Sequence, residues 1–106
     1  MFIDIEYQGY SKVIVKASGK LDIYSADDYL EEVKKNIKFA KELILDFSKI
    51  TYVASIGLRV ILELHNIMKN NDANMVIENP CNEVMNIFKM TGFDAFLNIE
   101  NEIDEN

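Results

Sequence analysis

The chain has 106 residues, 49% of them hydrophobic and 27% charged, which is the length and balance of one globular domain spanning 1–106. At this size roughly two-thirds of the unfolded surface can be buried, enough for one core without disulfides or metal, and a cofactor-sized pocket would compete with that core. The net charge of −7, with no basic stripe, argues against nucleic acid as a partner and disfavours an anionic membrane surface.

That charge is unevenly placed. Lys89 is the last base, and five of the 18 acids follow it: Asp94, Glu100, Glu102, Asp104 and Glu105. The body is left nearly neutral, so an acidic, solvated C-terminal tail is expected from about residue 100. Cys81 is the only cysteine, which excludes a disulfide within the chain and fits a reducing cytoplasm. Met1 to Tyr10 lacks the basic and then apolar stretch of a signal peptide, and no run approaches the roughly 18 apolar residues of a membrane span. The expectation is a soluble cytoplasmic protein with no membrane insertion.

Ile3, Ile5 and Tyr7 alternate with Asp4 and Glu6, and Val13, Val15 and Ala17 repeat the pattern. This spacing predicts two half-buried strands forming a hairpin that turns near Gln8 to Ser11. Ser25-Ala26-Asp27-Asp28 reads as a helix start, with a hydroxyl placed to cap and two carboxylates at the positive end of the dipole. Tyr29, Leu30, Val33 and Ile37 follow at helical spacing, and Glu31, Glu32, Lys34, Lys35 and Lys38 take a wet face. Leu43-Ile44-Leu45 and Met75-Val76-Ile77 are short and continuously apolar, which predicts central parallel strands covered on both faces. Between them, Ser55 to about Lys69 carries Leu58, Val60, Ile61, Leu62, Leu64, Ile67 and Met68, with Arg59, Glu63, Asn66 and Asn70 as a polar stripe. After Pro80, Asn82 is placed to cap a shorter helix with Val84, Met85, Ile87 and Phe88 inward, stopped by Thr91-Gly92. Phe93, Phe96, Leu97 and Ile99 read as a last short strand. The order predicts an α/β domain, a mixed four- or five-stranded sheet with three or more helices.

Catalysis needs converging groups, and the chain offers one histidine, one cysteine and no glycine-rich phosphate loop. No catalytic residue, metal site or cofactor is expected. His65 lies mid-helix beside the apolar row and reads as a structural imidazole, while Cys81, with no base nearer in sequence than Lys89, reads as packing. Asp27-Asp28 and Glu31-Glu32 match no calcium loop or histidine-carboxylate cluster and read as helix surface.

Ser55 is the candidate functional residue. It sits where helix N-caps sit, and the stripe through Arg59 and Glu63 extends back to it by the same helical step, so its hydroxyl is expected to face solvent. Capping alone would account for such a hydroxyl; the functional reading is phosphorylation. A phosphate there adds nearly two negative charges beside free amides, with Arg59 one turn away, so the domain tolerates what a docked partner would not.

Gly19-Lys20-Leu21-Asp22-Ile23-Tyr24-Ser25-Ala26, then Leu45-Asp46-Phe47-Ser48-Lys49-Ile50-Thr51-Tyr52-Val53-Ala54-Ser55-Ile56-Gly57-Leu58, then Ile87-Phe88-Lys89-Met90-Thr91-Gly92-Phe93 follow one another at a familiar spacing. Together they resemble the STAS family, the domains of sulfate transporters and anti-sigma factor antagonists, and especially the small single-domain bacterial antagonists. The resemblance implies partner switching. An unphosphorylated antagonist binds an anti-sigma factor that is also a serine kinase and frees a sigma factor; phosphorylation ends the interaction, and a serine phosphatase restores it. The acceptor serine maps onto Ser55, and the implied partner-binding positions are Asp22, Tyr24, Ser25, Ala54, Ser55, Ile56, Gly57 and Arg59. The family's aspartate before the acceptor is Ala54 here, the hydroxyl residue after it is Ile56, and a position often small is Arg59. Ala54 and Ile56 support an alternative, a non-phosphorylated STAS scaffold in a constitutive signalling or transporter-associated complex.

Overall fold

The computed structural model describes residues 1–101, so the acidic residues Glu102, Asp104 and Glu105 lie outside the described part. β1 (Phe2–Gln8) and β2 (Lys12–Leu21) form the expected antiparallel hairpin, from Phe2 opposite Ser18 to Gln8 opposite Lys12. Then follow α1 (Ala26–Asn36), β3 (Glu42–Val53), α2 (Ser55–Asn70), β4 (Asn74–Glu78), α3 (Asn82–Thr91), a single 3-10 turn over Phe93–Ala95, and β5 (Ile99–Glu100). The strands lie side by side in the order β1-β2-β3-β4-β5, with every pair after the hairpin parallel. This is the predicted mixed sheet, and each parallel step is bridged by a helix or turn.

One face of the sheet makes the core. Val13, Val15 and Ala17 of β2, Leu43, Leu45 and Phe47 of β3, and Met75 and Ile77 of β4 join Tyr29 and Val33 of α1, Ile61 and Leu64 of α2, and Val84 and Phe88 of α3 in a single cluster. The opposite face departs from the expectation of strands covered on both sides. Ile44 and Val76 are buried outside that cluster, beside Ile14 in an apolar row across three strands. The next row is charged, with Asp4, Lys16, Asp46, Glu78 and Glu100 in register. A row of charges across five strands needs water, which is why no helix covers it.

β3 is four times longer than its apolar triplet. Its inward residues are Leu43, Leu45 and Phe47, then Ile50 and Val53, so the interval lengthens from two to three. The cause is two register slips against β2, one between Lys16 and Ser18 and one between Gly19 and Lys20. At the first, the amide of Ser48 donates to Asp46 Oδ1 at 2.9 Å, satisfying a backbone group that the bulge takes out of the ladder.

Three local expectations are corrected. Ser25 precedes α1, but its hydroxyl makes no cap; it is buried and turns back into the loop before the helix. Asn82 is the first residue of α3 rather than its cap, a position held by extended Cys81, whose carbonyl accepts from the Met85 amide at 2.8 Å. The predicted last strand begins later, because left-handed Gly92 (φ 80°) leads into the 3-10 turn, and only Ile99 and Glu100 pair with β4. Glu100 is therefore a strand residue and not part of a frayed tail. Cys81 packs against the core with Sγ 3.5 Å from the Ile50 carbonyl, and His65 meets the Phe96 ring edge-on at 5.1 Å.

The helices are locked to the sheet at one close contact. A Cβ added to Gly57 in the first turn of α2 would lie 2.6 Å from the Leu21 carbonyl oxygen and 2.9 Å from Val53 Cγ1. Alanine is the better helix former by about 1 kcal/mol, but overpacking against a backbone oxygen costs about 1–3 kcal/mol. Gly57→Ala is therefore expected to lower stability by about 1 kcal/mol in urea unfolding; a midpoint equal to or above wild type would refute the contact.

Tyr29 gives a second prediction. It is wholly buried, and its hydroxyl has no hydrogen-bond partner among the described residues. Burial first, and then the charge of Asp46, hold the phenol well above the usual tyrosine range. Above about pH 10 the unfolded chain loses this proton and the folded chain keeps it, so stability is full below that pH and falls beyond it by about 1.4 kcal/mol per unit. Tyr29→Phe is expected to match or exceed wild-type stability at pH 7, with its advantage widening between pH 10 and 11; equal pH dependence in both proteins would contradict this.

Candidate functional site

β2 and β3 end together, Leu21 opposite Val53, and each runs straight into a loop that starts a helix. The Ala54 amide donates to the Leu21 carbonyl at 2.9 Å, and Gly57 packs against the same oxygen. Residues 22–25 and 54–57 thus form one continuous rim at the C-terminal ends of the parallel strands.

The first loop is tied from within. Ser25 Oγ donates to the Lys20 carbonyl at 2.6 Å and accepts from the Asp22 amide at 3.0 Å. Asp22 Oδ1 accepts from the Tyr24 amide at 3.0 Å, an Asx-type turn, and the Asp22 carbonyl accepts from the Ala26 amide at 2.8 Å. With Asp22 and Ser25 spent on the loop itself, the two residues between them are pushed out: Ile23 is 72% exposed and Tyr24 90%.

The second loop behaves differently. Ala54 is extended (φ −84°, ψ 175°) and takes the cap position that the sequence suggests for Ser55, which is instead the first helical residue. The first helical bond runs from the Leu58 amide to the Ala54 carbonyl, so the amides of Ser55, Ile56 and Gly57 precede the intrahelical ladder. Ser55 is exposed, its hydroxyl makes no hydrogen bond among the described residues, and the first turn of α2 contains no acid. Arg59, one turn on, is exposed on the same stripe.

Of the positions singled out from sequence, Tyr24, Ser55 and Arg59 present themselves to solvent. Asp22 and Ala54 are half-buried and Gly57 is buried. Ser25 is only 7% exposed, so it shapes the rim and offers nothing to a partner. Ile56 is half-buried and packs against the core, so it offers less apolar loop surface than its identity suggests. Sequence reading missed Ile23 and Tyr52, the latter 41% exposed on β3 beside Lys20. The Asp-x-x-Ser spacing around Ile23 is the signal that would have found it, because that turn throws its middle residues outward.

The rim can hold an anion through the free amides and dipole of α2, and can offer an apolar, aromatic contact through Ile23, Tyr24 and Tyr52. It has no nucleophile-base pair and no metal-ligating trio among the described residues.

The fold is shared with solved proteins of low sequence identity. SpoIIAA, the Bacillus cell fate determinant, matches in its unphosphorylated form at a TM-score of 0.83 and 15% identity, over 97% of this chain and 90% of that one. Its phosphorylated form matches at 0.76 and 14%, over 97% and 93%. An anti-sigma factor antagonist from Mycobacterium paratuberculosis matches at 0.83 and 15%, over 93% and 84%. The family model for the STAS domain matches residues 4–106, so the chain belongs to the STAS domain family.

Proposed function

We propose that this chain is a non-enzymatic regulatory module of the anti-sigma factor antagonist type, acting in the cytoplasm. Its rim docks on an anti-sigma factor that is also a serine kinase, and phosphorylation of Ser55 by that kinase releases it; a serine phosphatase resets it. The observation that carries this reading is the exposed Ser55 hydroxyl at the start of α2, without a hydrogen bond among the described residues, with outward Tyr24 on the same rim and Arg59 one turn on.

The physics of such a switch follows from the same position. A phosphate on Ser55 gains from the amides and the dipole, a favourable term of about 0.3–1 kcal/mol, so the domain keeps its fold. At the interface, two new negative charges must be desolvated against whatever packs on Ile23 and Tyr24, which costs several kcal/mol unless paired. The change therefore falls on affinity. Two structural neighbours are unphosphorylated and phosphorylated forms of one antagonist, and this chain matches both folds. No helix among the described residues is long and apolar enough to cross a membrane, which accords with action away from the bilayer.

The deciding experiment incubates the purified chain with an anti-sigma serine kinase of its own organism and ATP-Mg, and reads intact mass and fragmentation. One phosphate on Ser55 is expected, whereas none would favour the constitutive scaffold. In titration against the same kinase, Ser55→Glu is expected to weaken binding at least tenfold, about 1.4 kcal/mol, with the thermal midpoint unchanged; equal affinity would refute the switch.

A further inference from the structure

The opposite end of the sheet carries a second surface. There the β1-β2 hairpin, the C-terminal end of α1 and the turn before β3 enclose a concavity of about 220 Å³. Its walls hold three aromatic side chains left in water: Tyr7 at 59% exposure, Tyr10 at 104% and Phe39 at 86%. Val13 lies at its base, and Lys35 and Lys38 stand on its rim. Eighteen acids face eleven bases in this chain, yet no carboxylate lines this hollow.

The hollow is built and not incidental. Ile37 and Ala40 are buried, and the Ala40 amide closes a turn onto the Ile37 carbonyl at 3.2 Å, which forces Lys38 and Phe39 to its corner. The hairpin is pinned on both sides. The Ser11 carbonyl accepts from the amides of Lys41 and Glu42 at 2.8 and 3.0 Å, and Tyr7 donates to Asn36 Oδ1. Asn36 is itself held by its Nδ2 donating to the Glu32 carbonyl at 2.7 Å. Lone exposed aromatics are ordinary, but three around one pinned hollow form a patch of the kind that marks an interaction site.

We infer that this end of the domain is a second docking surface, which receives an acidic segment of a partner protein with one aliphatic or aromatic side chain seated among Tyr7, Tyr10 and Phe39. The charge fixes the class of partner. Lys38 makes no ion pair among the described residues, and Lys35 has only a loose exposed contact to Glu32 at 3.4 Å, so both remain available to carboxylates. The volume fixes the anchor, because it lies below the roughly 300–1,000 Å³ of small-molecule sites and admits one side chain. A flat anionic bilayer fits less well, since it cannot fill a hollow and would meet the acidic remainder of the molecule. This surface lies at the N-terminal ends of the parallel strands and the Ser55 rim at their C-terminal ends, so the inference stands or falls independently of the proposed switch.

The test is an amide chemical-shift titration of the chain with a synthetic acidic nonapeptide, four glutamates on each side of a central phenylalanine. Shifts are expected at Tyr7, Tyr10, Lys38 and Phe39, with the Ser55 loop unmoved. Lys35→Glu combined with Lys38→Glu is expected to weaken the peptide about fivefold, and a peptide with serine for phenylalanine to leave these resonances still. A thermal melt confirms that the doubly substituted chain is folded. Four outcomes would overturn the inference: no shifts at millimolar peptide, equal shifts with the serine peptide, perturbation only by phosphatidylserine vesicles, or perturbation on concentrating the protein alone, which would assign the face to a second copy.

Discussion

One carbonyl oxygen organises the end of this domain that carries the candidate site. Leu21 O accepts the Ala54 amide as the last rung between β2 and β3, and Gly57 rests against the same atom. A backbone oxygen cannot rotate away as a side chain can, so any residue larger than glycine would push α2 off the sheet. The loop after β2 and the loop after β3 are thereby fixed to each other through backbone alone. What varies at the rim is only what each loop displays, and the display can change charge without moving the frame. This is why a modification at Ser55 would act on a partner's surface and leave the core untouched.

The division of labour at the rim explains which residues were legible in the sequence. Ser55 was placed in solvent because Arg59, Glu63, Asn66 and Asn70 mark the wet stripe of a helix, a local periodic signal that survives folding. Ser25 carried an equally good local signal for a cap, yet its hydroxyl is claimed by the Lys20 carbonyl, a partner on the preceding strand. Ile56 makes the loop more apolar in sequence, which suits a permanent interface, but the approach of α2 to the sheet packs part of it against the core. In both cases a contact between elements overrode a preference within one.

The same distinction runs through the fold. The hairpin, the three helices and the parallel order follow from alternation, helical spacing and the right-handed crossover. The second half of β3 did not, because two bulges change its inward interval and dissolve the alternation that identifies a strand. The open sheet face was hidden for a related reason. Continuous apolar triplets normally mean helices on both sides, and here Ile44 and Val76 are instead buried outside the helical core, bordered by the charged row through Lys16 and Asp46. Lys16 belongs to that row electrostatically: its hydrogen bond and charge contact with Glu6 at 2.9 Å raise its proton affinity, with lesser help from Asp46 and Asp4.

The two surfaces stand at opposite ends of the same strands, and this bears on how they can influence each other. Coupling between distant sites needs an element with two discrete arrangements that both ligands bias. β2 and β3 are paired from Lys12 and Glu42 at one end to Leu21 and Val53 at the other, and sliding one past the other by a single residue would turn either Val13 and Val15 or Leu43 and Leu45 out of the core. Such a shift costs far more than a docked segment returns. The sheet would therefore act as a spacer and not as a relay. A segment docked in the proposed hollow would leave the Ser55 rim with its own affinity, and the two proposed surfaces would hold two partners at once, with release set at the Ser55 end alone.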